Sequence, residues 1–172
     1  MPTPRLDDLP PDGGVWLEID IPSQALTMRR GEEVLSRHHV STGLAGAGQR
    51  EESGQTPLGW HYVRAAIGGD RLLGTVFRGR RPTGEIFDSA WSISQPDRDW
   101  ILSRILWLCG LETGYNRGGD VDSQRRFIYL HGTPPDQPMG EALSHGCIRM
   151  RDDDLLAVFA RAVPGTPVWI HD

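Results

Sequence analysis

Val15-Trp16-Leu17-Glu18-Ile19-Asp20-Ile21 places Val15, Leu17, Ile19 and Ile21 at every second position. A period of two is that of a half-buried β-strand. Reading outward, Pro22-Ser23-Gln24 makes a turn, and Ala25 to Arg30 carries Leu26 and Met28 on one face. Gly31-Glu32-Glu33 turns again into a third strand, Val34 to Ser41. The chain therefore opens as a β-meander. Before it, residues 1–14 are rich in Pro and Asp and read as a loose lead-in to a single domain over 15–172.

Beyond the meander, residues 42–59 form a long polar loop with many glycines. It is either a substrate-facing loop or a flexible connection. No Gly-Lys-Ser/Thr follows it and no Gly-x-Gly-x-x-Gly opens a helix, so it is not a phosphate cradle. Trp60 to Ile67 reads as a strand and Gly74 to Gly79 as a short extended piece, with Pro82-Thr83-Gly84 as a turn. Ser94-Gln95-Pro96-Asp97 has the form of a helix start, with Ser94 as cap and Pro96 in the first turn. Ile101, Leu102, Ile105, Leu106, Leu108 and Cys109 then recur at helical spacing up to Gly110. Cys109 belongs to that stripe as a small buried hydrophobe. Arg126 to Leu130 reads as a strand. Asp152, Asp153 and Asp154 open a second helix with Leu155, Leu156, Val158, Phe159, Ala162 and Val163 on its buried face. Thr166 to Ile170 is a last strand. The expected fold is mainly β, one domain with about two helices.

Composition narrows the function. The chain has 172 residues, 38% hydrophobic and 24% charged, in the range of globular proteins. Its formal charge is −5 with no basic block, which argues against a nucleic-acid surface. Two cysteines, Cys109 and Cys147, are too few for a disulfide framework. No apolar run approaches a membrane span. The first 14 residues lack the basic and apolar regions of a secretory signal. The expectation is a cytoplasmic protein, or a periplasmic one if a leader has been removed.

The stretch with chemistry in it is Ser144-His145-Gly146-Cys147-Ile148-Arg149-Met150, preceded by Tyr129-Leu130-His131-Gly132. A thiol becomes a nucleophile when a base removes its proton, and a neighbouring histidine can hold the resulting thiolate–imidazolium pair. His131 is the candidate base and Cys147 the nucleophile. Gly146 lets the backbone turn sharply, so that the amides of Gly146 and Cys147 face a developing oxyanion. The second nitrogen of His131 needs an anchor, for which the Gly132 carbonyl is the candidate. Two other readings stay open. His131, His145 and Cys147 are legitimate zinc ligands for a hydrolase, and a binding module without chemistry would carry the same residues.

These residues resemble the YkuD-type L,D-transpeptidase catalytic domain, whose motif is a His-Gly followed by Ser or Thr, His-Gly-Cys, a hydrophobic residue and Arg or Asn. Val40-Ser41-Thr42-Gly43 and Gln55-Thr56-Pro57-Leu58-Gly59 resemble two further family stretches. The likeness runs over about residues 15–170. It implies a sandwich or barrel-like β fold. It also implies a substrate, the peptidoglycan stem peptide, cut between a diamino acid (commonly meso-diaminopimelate) and D-alanine through a thioester. Neither a metal nor another cofactor takes part in that chemistry, and carbapenem-type β-lactams are expected covalent inhibitors. Carried over, Cys147 is the nucleophile, His131 the base, and Gly132 its orienting carbonyl. Gly146 and Cys147 offer the oxyanion amides, and Ser144, His145 and Arg149 shape the substrate cleft. Arg149 pairs either with a substrate carboxylate or with a nearby Asp. Tyr115 and Tyr129 are the candidates for a tyrosine near the oxyanion.

Typical members of that family carry a leader or anchor and often a wall-binding module, and the expectation from this sequence is of neither. A cytosolic enzyme would meet soluble muropeptides. The favoured expectation is therefore an L,D-carboxypeptidase of muropeptide recycling, with transpeptidation or D-amino acid exchange as the alternative.

Overall fold

A computed structural model describes residues 3–172; Met1 and Pro2, the first two of the expected lead-in, lie outside the described residues. Ten strands and two helices follow in chain order. They are β1 (Val15–Asp20), β2 (Ala25–Arg30), β3 (Glu33–His39), β4 (Gly59–Ile67), β5 (Thr75–Arg78) and β6 (Arg81–Ile86). Then come α1 (Ala90–Ser94), β7 (Ile101–Gly110), β8 (Tyr129–Gly132), β9 (Ile148–Met150), α2 (Asp152–Phe159) and β10 (Pro167–His171).

All ten strands belong to one mixed sheet, in the order β3-β2-β1-β10-β4-β7-β5-β6, with β8 on β7 and β9 on β8. The opening meander is the one the alternation predicts. Leu17 and Ile19 of β1 are fully buried, opposite Met28 and Leu26 of β2. One apolar cluster joins Leu17, Leu26, Val63, Leu106, Leu130, Ile148 and Val168 with Leu155 and Val158 of α2. Residues of β2, β1, β10, β4, β7, β8 and β9 meet in it, and Ser41, just after β3, pairs with Arg149 of β9, so this run of strands curls around the core and α2 closes it. That is the barrel-like β fold that was expected.

β7 corrects the sequence reading. The stripe from Ile101 to Cys109 is a ten-residue strand and not a helix. β7 carries β4 and β5 on one edge and β8 on the other. Leu106 faces the main core, while Ile105 faces a second cluster with Phe77 and Tyr129. A strand buried on both faces is apolar at nearly every position, so its alternation disappears and chance helical spacing remains. The first helix is instead the short α1, just upstream.

Three smaller corrections follow. Pro82-Thr83-Gly84 lies inside the edge strand β6, where a missing N–H is tolerated. The turn is Gly79-Arg80, both at positive φ. The strand expected from Arg126 begins only at Tyr129, because Phe127 takes φ 57° and turns the chain. Val163, placed on the buried face of the second helix, lies beyond the end of α2 and is 47% exposed.

Candidate active site

β8 and β9 run parallel and adjacent, with Leu130 opposite Ile148 and His131 opposite Arg149. Register partners in a sheet point to the same face, and successive residues to opposite faces. Leu130 and Ile148 enter the main core. Tyr129, His131, Cys147 and Arg149 therefore share the other face. Cys147 falls opposite Tyr129, whose amide donates to Cys147 Sγ at 3.4 Å. The thiol in turn donates to the Phe127 carbonyl at 3.3 Å. His131 is two positions along and one strand across from Cys147. At ~3.3 Å per residue and ~4.8 Å between strands, their Cα atoms lie about 8 Å apart, within reach of an imidazole and a thiol. Among the described residues no hydrogen bond joins the two side chains in this resting geometry.

His131 is buried, 1% exposed, and its Nδ1 lies 2.7 Å from the Gly132 carbonyl. A carbonyl only accepts, so Nδ1 carries the proton and Nε2 is left as the basic nitrogen. Burial lowers the His131 pKa, against the smaller raising effect of that hydrogen bond. Burial also pushes the Cys147 thiol up to about 12, opposed by the Tyr129 amide. Both shifts favour a neutral thiol and a neutral imidazole at rest. Gly132 is required by close approach, since a Cβ there would stand 2.4 Å from Asp152 Oδ1 and 2.6 Å from the Leu102 carbonyl.

The turn that delivers Cys147 is braced from residues 41–56. Ser41 and Arg149 exchange backbone hydrogen bonds, and the Ser144 amide donates to the Thr42 carbonyl. Thr56 Oγ1 accepts from the Gly43 amide at 2.8 Å and donates to the Gly146 carbonyl at 2.9 Å. Arg126 donates to the carbonyls of Gly48, Gln49 and Gln55 and ties the same loop to the approach to β8. The loop is therefore the scaffold of the nucleophile turn. Gly146 stands at φ 124°, a conformation open to glycine.

Two site expectations change with this geometry. The Gly146 amide is already spent on Ser144 Oγ at 3.1 Å, while Ser144 Oγ donates to the Cys147 carbonyl. Ser144 thus closes the turn on itself. The Cys147 amide has no acceptor among the described residues. Arg149, with its side chain 11% exposed, donates to Asp99 Oδ1 at 3.2 Å and to the Leu143 carbonyl. It takes the internal ion pair. His145 is open to solvent, 3.7 Å from the other Asp99 oxygen. Asp99, Arg149 and His145 line one side of a cleft of about 290 Å³, with Arg98, Gln95 and Gln137 among its other walls. His131, His145 and Cys147 do not converge, and among the described residues no three His, Cys, Asp or Glu side chains form a metal-binding group. The zinc reading loses its ligand set.

Asp99, Arg126 and Arg80 were missed by sequence reasoning. Arg80 donates to the Tyr129 hydroxyl at 3.0 Å. Arg80 and Asp99 stand far from the motif in sequence, Asp99 inside the expected helix start, and Arg126, three residues before Tyr129, was read only as the beginning of a strand. Of the candidate tyrosines, Tyr129 is beside the sulfur, while Tyr115 lies by Gly59 and Glu112.

The L,D-transpeptidase catalytic domain model, YkuD, matches residues 14–170, and the chain belongs to that family. An L,D-transpeptidase from Mycobacterium smegmatis superposes with a TM-score of 0.58 at 19% identity, over 92% of this chain and 59% of its own. L,D-transpeptidase 3 from Mycobacterium tuberculosis, in complex with a faropenem-derived adduct, gives 0.51 at 18% identity, over 92% and 60%. At these identities the likeness is one of fold. The probable L,D-transpeptidase YcfS of Escherichia coli (strain K12) is 51% identical over 41 residues, 24% of this chain and 13% of that protein. The chain spans less than two thirds of the length of each of these relatives.

Proposed function

We propose that this chain breaks the L,D bond between the diamino acid and D-alanine of a peptidoglycan stem tetrapeptide by cysteine acyl transfer. His131 Nε2 takes the Cys147 proton as Sγ attacks the carbonyl of the diamino acid. The C–N bond breaks, His131 returns the proton to the departing D-alanine amine, and a thioester remains on Cys147. Water then adds to the thioester, His131 removing its proton, and the acid and the free thiol are released. The unengaged Cys147 amide is the donor for the oxyanion. Nδ1–H on the Gly132 carbonyl keeps Nε2 basic and steadies the imidazolium when it forms.

The observation that carries this reading is the shared sheet face of His131 and Cys147, with the His131 tautomer fixed by Gly132. Water is the proposed acceptor: Cys147 is part-exposed as a residue, although its sulfur is desolvated by its surroundings. An amine in its place would give a cross-link or an exchanged D-amino acid. The Mycobacterium tuberculosis relative in complex with a faropenem-derived adduct supports the expectation that a β-lactam acylates Cys147 here.

Mass spectrometry of a disaccharide-tetrapeptide incubated with the protein tests the reading. The expected product is the tripeptide, formed with uptake of water, and Cys147→Ala is expected to form none. A wild type that turns over nothing, or a Cys147→Ala protein that is as active, overturns it. Exchange with added D-alanine analogues in place of hydrolysis would move the acceptor from water to an amine. Peptide binding that survives Cys147→Ala, without wild-type turnover, would leave a silent binder.

A further inference from the structure

Arg80 stands at the tip of the β5–β6 hairpin and is not among the residues that line the Asp99 cleft. Its guanidinium lies 4.4 Å from the ring centre of Trp107 and 4.9 Å from that of Phe127. One of its nitrogens donates to the Tyr129 hydroxyl at 3.0 Å. Among the described residues it has no acidic partner and no other hydrogen bond. Four of its five N–H donors are therefore uncommitted while its plane is held by stacking.

This shelf adjoins the reacting sulfur. Tyr129 donates its amide to Cys147 Sγ, and Phe127 accepts the thiol proton on its carbonyl. Both Arg80 and Phe127 adopt left-handed backbone conformations, at φ 65° and 57°. Strain of this kind in non-glycine residues gathers at functional sites. Here the two strained residues stack on each other beside the candidate nucleophile. The Phe127 ring is moreover large, apolar and 51% exposed. Arg149, the arginine the motif offers for a substrate carboxylate, is nearly buried and already paired with Asp99.

We propose that Arg80, and not Arg149, binds a carboxylate of the peptide, with Trp107 and Phe127 as the shelf that aims it. The proposal rests on the reading of Cys147 as the nucleophile of a stem-peptide enzyme. A stacked, unpaired guanidinium fork suits a carboxylate in both charge and shape. The stem tetrapeptide has two such groups close to the bond to be cut: the α-carboxylate of the terminal D-alanine and the side-chain carboxylate of diaminopimelate.

Calorimetric titration of Cys147→Ala protein with the synthetic tetrapeptide tests this without needing turnover. Adding Arg80→Gln is expected to weaken binding of the free acid by about 10- to 100-fold, the worth of a lost charge-assisted hydrogen bond. Arg80→Lys keeps part of the affinity. Two amidated peptides, one at the D-alanine carboxyl and one at the diaminopimelate side chain, identify the group. For the carboxylate that Arg80 holds, amidation costs the Arg80 protein the same factor and costs Arg80→Gln nothing further. Binding of the free acid unchanged by Arg80→Gln overturns the proposal. So does an equal loss on all three peptides, which would mark Arg80 as merely structural. Absent turnover with this binding pattern intact would instead count against the acyl-transfer reading.

Discussion

Burial acts on both members of the candidate pair in the direction of neutrality: the thiol rises to about 12 and the imidazole falls below its usual value. At pH 7 a thiol with that pKa carries far less thiolate than an ordinary cysteine. Alkylation of Cys147 by iodoacetamide, followed by peptide mapping to separate it from Cys109, is expected to run at least about tenfold slower than for a free cysteine. The rate should climb through pH 9 without levelling. A plateau near neutrality would mean a standing thiolate–imidazolium pair and defeat this assignment. The motif gave His131, Gly132 and Cys147 at once, because their geometry depends on two short neighbouring strands and one glycine turn. It did not give the charge state, which is set by how deeply the sheet buries them. Nor did it give Asp99 or Arg80, since neither is adjacent in sequence to what it touches.

β7 is the element on which the site is hung, pairing with β8 while β8 carries β9. Its side chains serve two compartments. Leu106 packs into the main core, and Ile105, opposite His131, shares with Tyr129 the cluster against which Cys147 packs. Leu106→Ala is expected to cost about 2–5 kcal/mol of stability, read as a lowered denaturant midpoint, while the folded fraction keeps its turnover. Ile105→Ala is expected to lose a similar amount and also to lower kcat, because Tyr129 and the sulfur lose their support. Equal kcat in the two folded variants would show that the second cluster does not position the site. The half-buried strands were legible in the sequence because one side of each meets solvent and writes an alternation. β7 was not, since two buried faces erase it, and Ser103, at φ 72°, interrupts it near its start as well.

At the scale of the molecule, the strand system is tied to the long connection before β8 by a buried histidine. His61 of β4 is fully buried, with Nδ1 3.0 Å from the Gly59 carbonyl and Nε2 2.8 Å from Ser123 Oγ. The carbonyl can only accept, so Nδ1 holds the proton and Nε2 accepts from Ser123. Charging the ring would strand a cation away from water, and burial lowers the His61 pKa to about 4. The unfolded chain takes up this proton near pH 6.5, the folded one only near 4. Between those values the unfolded state binds more protons, so stability falls as the pH falls. The full effect is about 3 kcal/mol, present above pH 6.5 and lost by pH 4. Asp152 works the other way. Burial raises its pKa, so the folded state protonates it first and acidification favours folding through that group. Urea midpoints measured from pH 7 to pH 4 should therefore fall, with most of the loss below pH 6.5. In His61→Gln the starting stability is lower and the slope in this window flatter. An unchanged slope would assign the acid sensitivity to other groups and leave His61 a neutral strut.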